Sequence, residues 1–276
     1  MRFDDQLVVI TGAASGIGKA TAHAFAAGGA RLALSDVDPA RLDAVAAELG
    51  KAVVLARRVD VGDRAQMAAF ADEVHALGPA ADVVVNNAGV GQQGGVLDTS
   101  LDDWDWTLRV NLMGVVHGCH FFTPRMVARG RGHVVNLSSV LGLYAPPTSI
   151  AYTASKFAVL GLTLSMRGEL AGTGVRATAI CPGMIDTSIV ADGRFAPGRD
   201  RFKEVVGRQF KKRGYPPAVV ASAIVDAIGK DVAVRPVTRE AWALYGLTRF
   251  APRAVGDALG KAFTRSFNLG PVKRAG

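Results

Sequence analysis

Short apolar segments alternate with stretches of helical spacing along most of this 276-residue chain, and this alternation restricts the fold more than any other feature. Apolar runs stand at 7–10, 31–34, 52–59, 82–85, 133–137 and 175–180, several of them rich in β-branched residues. Between them, 18–27, 39–49, 64–77, 103–128 and 152–171 repeat their apolar residues with a helical period. Parallel neighbours need long crossovers, and right-handed crossovers laid side by side build a doubly wound α/β sheet with helices on both faces. A helix near 216–229 and a strand near 232–235 bring the count to about seven strands, so one domain is expected over 1–235. Within it, 184–214, and 191–214 above all, break the alternation and read as a lid. Pro39 suits a first helical turn that Asp38 can cap. Aromatics at only 7% favour close helix-on-sheet packing over an aromatic-rich sandwich.

Charge divides the chain in two. Residues 1–193 hold 15 Lys and Arg against 18 Asp and Glu, a net −3, whereas 194–276 hold 17 against 6, a net +11. The last segment, 236–276, interleaves apolar residues (Trp242, Tyr245, Phe250, Leu259) with arginines and lysines. It reads as a basic extension of two short amphipathic helices divided by Pro252. Two uses are open to it: packing over the substrate entrance, or peripheral contact with an anionic membrane surface. No nucleic-acid recognition module accompanies the basic residues, so no nucleic-acid partner is expected. Cys119 and Cys181 lie far apart with no ligand-spaced partner, so both are expected buried and reduced, with no metal site. The histidines likewise read as structural or exposed. No apolar run approaches the roughly 18 residues of a spanning helix, and no leader peptide is visible, so a cytoplasmic location, possible surface attachment aside, is expected.

The first apolar run leads into Thr11-Gly12-Ala13-Ala14-Ser15-Gly16-Ile17-Gly18 and then a helix. Glycines there let the backbone turn sharply, bring a pyrophosphate to the helix N-terminus, and let helix pack on sheet. An ordinary β–α loop could use the same glycines, but Asp36 ends the second strand, where a carboxylate can accept from an adenosine ribose diol. The same charge repels a 2′-phosphate. NAD is therefore expected over NADP, with the placement of Arg57 and Arg58 left open.

The spacing Gly-x3-Gly-x-Gly resembles the short-chain dehydrogenase/reductase family, and four further motifs strengthen the resemblance. They are Asn86-Asn87-Ala88-Gly89, Asn111 in the long helix, Ser139 before Tyr152-x3-Lys156, and Pro182-Gly183-Met-Ile-Asp-Thr187. Together they span residues 11–187, and nothing beyond about 236 matches a motif. The resemblance implies a Rossmann-type fold and a nicotinamide-dependent oxidoreductase. It also implies that Gly12, Ser15, Gly16, Ile17 and Gly18 hold the pyrophosphate, Asp60 and Val61 meet adenine, and Asn87, Ala88 and Gly89 meet ribose. Ile185 and Thr187 would meet the carboxamide, with Pro182 and Gly183 also at the cofactor. Asp60 could equally cap the helix that begins near Asp63.

Tyr152 and Lys156 are four apart, so a helix stacks them on one face, where the ammonium is expected to favour the phenolate. Ser139 would hold the substrate oxygen opposite and stabilise developing charge. By resemblance, Lys156 also binds the nicotinamide ribose and Asn111 anchors a proton-relaying water. Such Tyr-x3-Lys pairs are common on helices for structural reasons; Ser139 and the glycine turn make this one catalytic. Leu141, Leu143, Tyr144, Pro146, Pro147, Ile150 and Met184 are expected to line an apolar pocket, which points to a hydrophobic secondary alcohol or ketone. Trp104 and Trp106 read as packing residues. Apolar residues on several faces of 103–128 and 152–171 point to a homodimer or homotetramer, the assemblies common in the family. The rival reading is a catalytically silent NAD(H)-binding sensor or scaffold.

Overall fold

The computed structural model describes residues 3–250. In chain order the elements are β1 (Leu7–Thr11), α1 (Gly16–Ala27), β2 (Arg31–Asp36), α2 (Pro39–Leu49), β3 (Val53–Arg58), α3 (Arg64–Ala76) and β4 (Val83–Asn86). Then follow β5 (Gln92–Gln93), α4 (Leu101–Leu108), a π turn (Arg109–Met113), α5 (Gly114–Arg129), β6 (Gly132–Leu137) and α6 (Ile150–Glu169). The remainder is β7 (Val175–Cys181), β8 (Arg194–Phe195), α7 (Asp200–Arg213), α8 (Pro217–Lys230), β9 (Val234–Pro236) and α9 (Arg239–Phe250).

Seven strands form one parallel sheet in the order β3-β2-β1-β4-β6-β7-β9. The inner strands are apolar throughout because helices cover both faces: all five residues of β1 are buried. Phe25, Leu34 and Ile224 fill the layer under α1 and α8, while Phe70, Phe122 and Met126 fill the opposite layer under α3 and α5. Each such side chain contributes about 1.5–3 kcal/mol by leaving water. The chain starts at β1, builds outward to β3, then returns to β4 on the other side. A crevice must therefore open where β1 and β4 part at their carboxyl ends.

Local chemistry follows the sequence closely in the first half. Asp38 accepts from the Arg41 amide at 3.1 Å with Pro39 at the first position of α2. Asp63, not Asp60, caps α3, accepting from Ala65 and Gln66. The expected single helix over 103–128 starts at Leu101, where Ser100 caps it, and is interrupted by the π turn. The lid is more regular than its Gly- and Pro-containing sequence implies, since it holds β8 and α7. Position 235 is not a gap in packing: β9 runs one residue further, and Thr238 and Ala241 are buried. Pro252 and the second tail helix lie outside the described residues.

Candidate active site

A cleft of about 1160 Å³ occupies the crevice. Of the site residues singled out from the sequence, all but Gly18 and Asn111 line it. Gly18 lies beneath: a Cβ there would stand 2.0 Å from the Gly12 carbonyl oxygen. Gly12, at φ +65°, would place a Cβ 2.7 Å from the Ala88 Cα. The turn therefore closes onto the end of β4, and Asn87 seals the contact by donating to the Thr11 and Gly12 carbonyls at 2.9 and 3.0 Å. Ser15 precedes α1 without making a side-chain cap bond, and the helix has no acidic residue in its first turn. Its first amides are left as donors toward the cleft.

Asp36 braces this turn. One carboxylate oxygen accepts from the Ala14 amide at 2.9 Å and the other from Asp38 at 3.0 Å, which leaves lone pairs on both. Arg57 is engaged by Glu73 at 2.6 Å, and neither it nor Arg58 lines the cleft. Arg41, which does line the cleft, faces Asp38 at 3.2 Å and Asp192 of the lid at 3.8 Å. Asp60 takes no part in capping: Arg109 from the π turn reaches it at 2.6 Å.

Ser139, at the end of β6, accepts from the Leu141 amide at 3.1 Å and so points its hydroxyl along the cleft wall. Tyr152, on the first turn of α6, stands within hydrogen-bonding reach of it. Burial pushes the phenol above its usual range, with a hydrogen bond from Ser139 pulling the other way. Lys156 stands on the same face one turn on, its Nζ 5.6 Å from the ring centre and donating to the Leu137 carbonyl at 2.9 Å. Lys156 is only 4% exposed, and burial lowers its own pKa to about 8. Desolvation thus moves both groups toward neutrality. Asn111, fully buried in the π turn, accepts from the Val90 amide and donates to the Val90 carbonyl and Ser155 Oγ. Its amide braces the segment after β4 against α6.

At the far end the cleft is walled by Leu141, Tyr144, Pro146 and Met184, as expected; Leu143, Pro147 and Ile150 do not reach it. Their places go to Phe195, Phe202, Val206 and Phe210 of the lid. Trp106 also lines the cleft instead of merely packing, and Arg194 lies 4.1 Å above its ring while pairing with Asp103 at 3.3 Å. Glu240 and Leu244 of α9 complete the wall, and Glu240 accepts from the Met184 amide at 3.2 Å. No local sequence signal marks Trp106 or Glu240, since only tertiary packing brings them here. Both cysteines are buried and free, their thiols pushed up to about 11 and about 12 by burial.

A parallel sheet with a glycine-rich turn at its switch point, and an acidic side chain behind that turn, defines the dinucleotide-binding class of α/β fold. The family model described as short chain dehydrogenase matches residues 6–195, and the chain belongs to the short-chain dehydrogenase/reductase family of oxidoreductases. A protein of Mycobacterium tuberculosis (strain ATCC 25618 / H37Rv) named "Probable oxidoreductase EphD" is 46% identical over 263 residues, covering 92% of this chain but 44% of its own. The chain thus spans less than half the length of that relative. Meso-2,3-butanediol dehydrogenase of Serratia marcescens is 39% identical over 204 residues, 74% of this chain and 80% of its own. The crystal structure of a short chain dehydrogenase/reductase from Burkholderia phymatum in complex with NAD superimposes with a TM-score of 0.84 at 29% identity, over 100% of this chain and 99% of that one.

Proposed function

We propose that this protein transfers a hydride between NAD(H) and a secondary alcohol or ketone carried on an apolar body. The observation that carries this reading is the meeting of Ser139, Tyr152 and Lys156 on one wall of the cleft that the glycine-rich turn opens. The residues fit a dinucleotide. The free amides at the start of α1 suit a pyrophosphate, and the backbone approach that Gly12 and Gly18 permit leaves room for it. Asp36 keeps acceptor capacity for a ribose diol and would repel a 2′-phosphate, Arg41 and Arg57 are already paired, and Arg58, beside Asp36 in the ladder, does not line the cleft, which favours NAD over NADP. Ile17, Asp60, Val61, Asn87, Ala88 and Gly89 would line the adenosine and ribose seats, and Ile185 and Thr187 the carboxamide seat, with Pro182 and Gly183 also at the cofactor.

Bound NAD would accept the carbinol hydride, and its positive ring would draw the Tyr152 phenol toward ionisation. Tyr152 takes the hydroxyl proton in oxidation and returns it in reduction. Ser139 holds the same oxygen from the other side and stabilises the charge that develops on it. Lys156, mostly protonated at neutral pH with a pKa of about 8, keeps a positive charge beside the phenol. The aromatic lid of Phe195, Phe202 and Phe210 excludes water and favours an apolar substrate.

NADH formation from NAD, with NADP in parallel, across hydrophobic secondary alcohols tests the proposal, with Tyr152→Phe as control. Turnover that vanishes in the control supports it; cofactor binding without turnover in either direction favours the silent sensor. We also propose assembly into a dimer or tetramer through the helices flanking the π turn and α6, whose outer faces expose Leu101, Met113, Phe157 and Leu164. A monomer mass by light scattering at micromolar concentration would overturn that assembly.

A further inference from the structure

Ser149 precedes the first residue of α6, where a serine hydroxyl ordinarily accepts from an amide of the first turn. Here it makes no such bond. It donates instead to Gln93 Oε1 at 2.6 Å, across 56 residues of sequence. The surrounding backbone is arranged to permit this. The Gly94 amide donates to the Thr148 carbonyl at 2.7 Å, and the Ile150 amide to the Gly94 carbonyl at 3.1 Å. Thr148, a β-branched residue, is held at φ +90°, a conformation such residues avoid. A cap bond and a relaxed backbone are both forgone to fix one glutamine.

That glutamine lines the cleft together with Ser149 and Tyr152, which lies one helical turn further along α6. Ser149 occupies its carbonyl end, and among the described residues its amide nitrogen has no hydrogen-bond partner. Phe195 is the register partner of Gln93 on β8, and Tyr144 and Pro146 line the same cleft. A fixed, unspent N–H donor in an apolar wall discriminates strongly, because a substrate lacking a matching acceptor leaves it unpaired. We propose that Gln93 is a specificity-determining residue that donates to a second oxygen of the substrate, beside the reacting carbon, and that Ser149 positions it. The preferred substrates are then α-hydroxy ketones and the corresponding vicinal diols on an apolar skeleton. This rests on the hydride-transfer reading above and narrows its substrate class.

Benzoin and deoxybenzoin, which differ by the one hydroxyl, test it. In either reduction NADH delivers a hydride to the carbonyl carbon and a proton joins the oxygen, giving an alcohol and NAD. The wild type should favour benzoin by about tenfold in kcat/KM, roughly what one neutral hydrogen bond contributes. Gln93→Leu should bring the ratio near unity, since it offers the second oxygen neither a donor nor an acceptor. Ser149→Ala should reduce it part of the way, and Ser149→Thr should restore it. A wild-type ratio near one, or a ratio that Gln93→Leu leaves unchanged, overturns the proposal. Binding of each ketone to the NADH-loaded protein by calorimetry, with melting curves to confirm folding, separates this from failure of the chemistry. A benzoin preference in affinity that Gln93→Leu abolishes upholds Gln93 even if no ketone turns over, whereas equal or absent affinity for the two overturns it.

Discussion

The two ends of the cleft are built in opposite ways. The cofactor end consists of strand ends and the turns that leave them. Its braces, Asp36 to Ala14 and Asn87 to Gly12, join neighbouring strands of one sheet. The substrate end is assembled from five separate segments: the stretch after β4, α4, the loop before α6, the lid, and α9. Its fasteners reach much further, with Arg199 gripping Asp98 at 2.8 Å across 101 residues and β5 pairing with β8. A frame set by sheet register tolerates little change. A chamber held by side chains from distant segments can be refitted one wall at a time, so chemistry stays fixed while specificity can drift.

The sharpest way to break this contrast is at the junction of the two ends. Tyr152→Phe should lower kcat/KM by about 10³-fold, while NAD affinity, followed by fluorescence titration, changes by less than about threefold. A comparable loss of NAD affinity would show that Tyr152 belongs to the cofactor frame. Next comes the cost stored at Lys156. Its folded pKa of about 8 lies below the 10.5 of an unperturbed lysine, so between these values the unfolded chain holds a proton that the folded one has released. Stability must then rise with pH across that window, by about 3 kcal/mol from this group alone. Urea melts should show wild type gaining that much on Lys156→Met between pH 8 and 10.5; parallel curves would refute it. Replacing Asp36 by Ser should raise the NADP-to-NAD ratio of kcat/KM at least about tenfold, worth roughly 1.4 kcal/mol. An unchanged ratio would mean that Arg41 and Asp38 set the preference. The smallest effect belongs to the lid. Arg199→Ala should raise substrate KM about threefold and lower Tm by about 1–3 °C, with NAD affinity untouched.

The same contrast explains what could be read from the sequence. The cofactor end is written in short contiguous motifs, because a glycine that must accommodate a backbone, or a proline at a first helical turn, answers to its immediate neighbours. Gly12, Asp38 and the strands themselves were legible for that reason. Trp106 and Glu240 were not: one depends on the rotation of α4, the other on where a helix more than fifty residues past the lid's beginning comes to rest. Asp60 was open to two readings, adenine contact or a helix cap; Asp63 takes the cap, and only Arg109, from another layer, decides how the Asp60 carboxylate is held at the cleft. Ser149 carried a faint signal, a serine one position before a helix, but nothing nearby tells that its hydroxyl turns outward to Gln93. The Tyr-x3-Lys spacing told that the two side chains share a face, but not that burial raises the phenol pKa and lowers that of the ammonium in the cofactor-free chain, since spacing does not encode desolvation.

The π turn at Arg109–Met113 places one more residue in a turn than an α-helix would. Each residue of an α-helix advances the screw by about 100°. The wider turn absorbs that extra step, so removing one of the five would let the helix run smoothly with α4 in nearly its present orientation, whereas one residue added between Trp106 and Arg109 would swing everything ahead of it by that angle. Trp106 would rotate away from Arg194 and out of the wall it shares with Phe195. The face that α4 shows to the chamber is set by counting, and an insertion there would redraw the pocket without exchanging a single side chain.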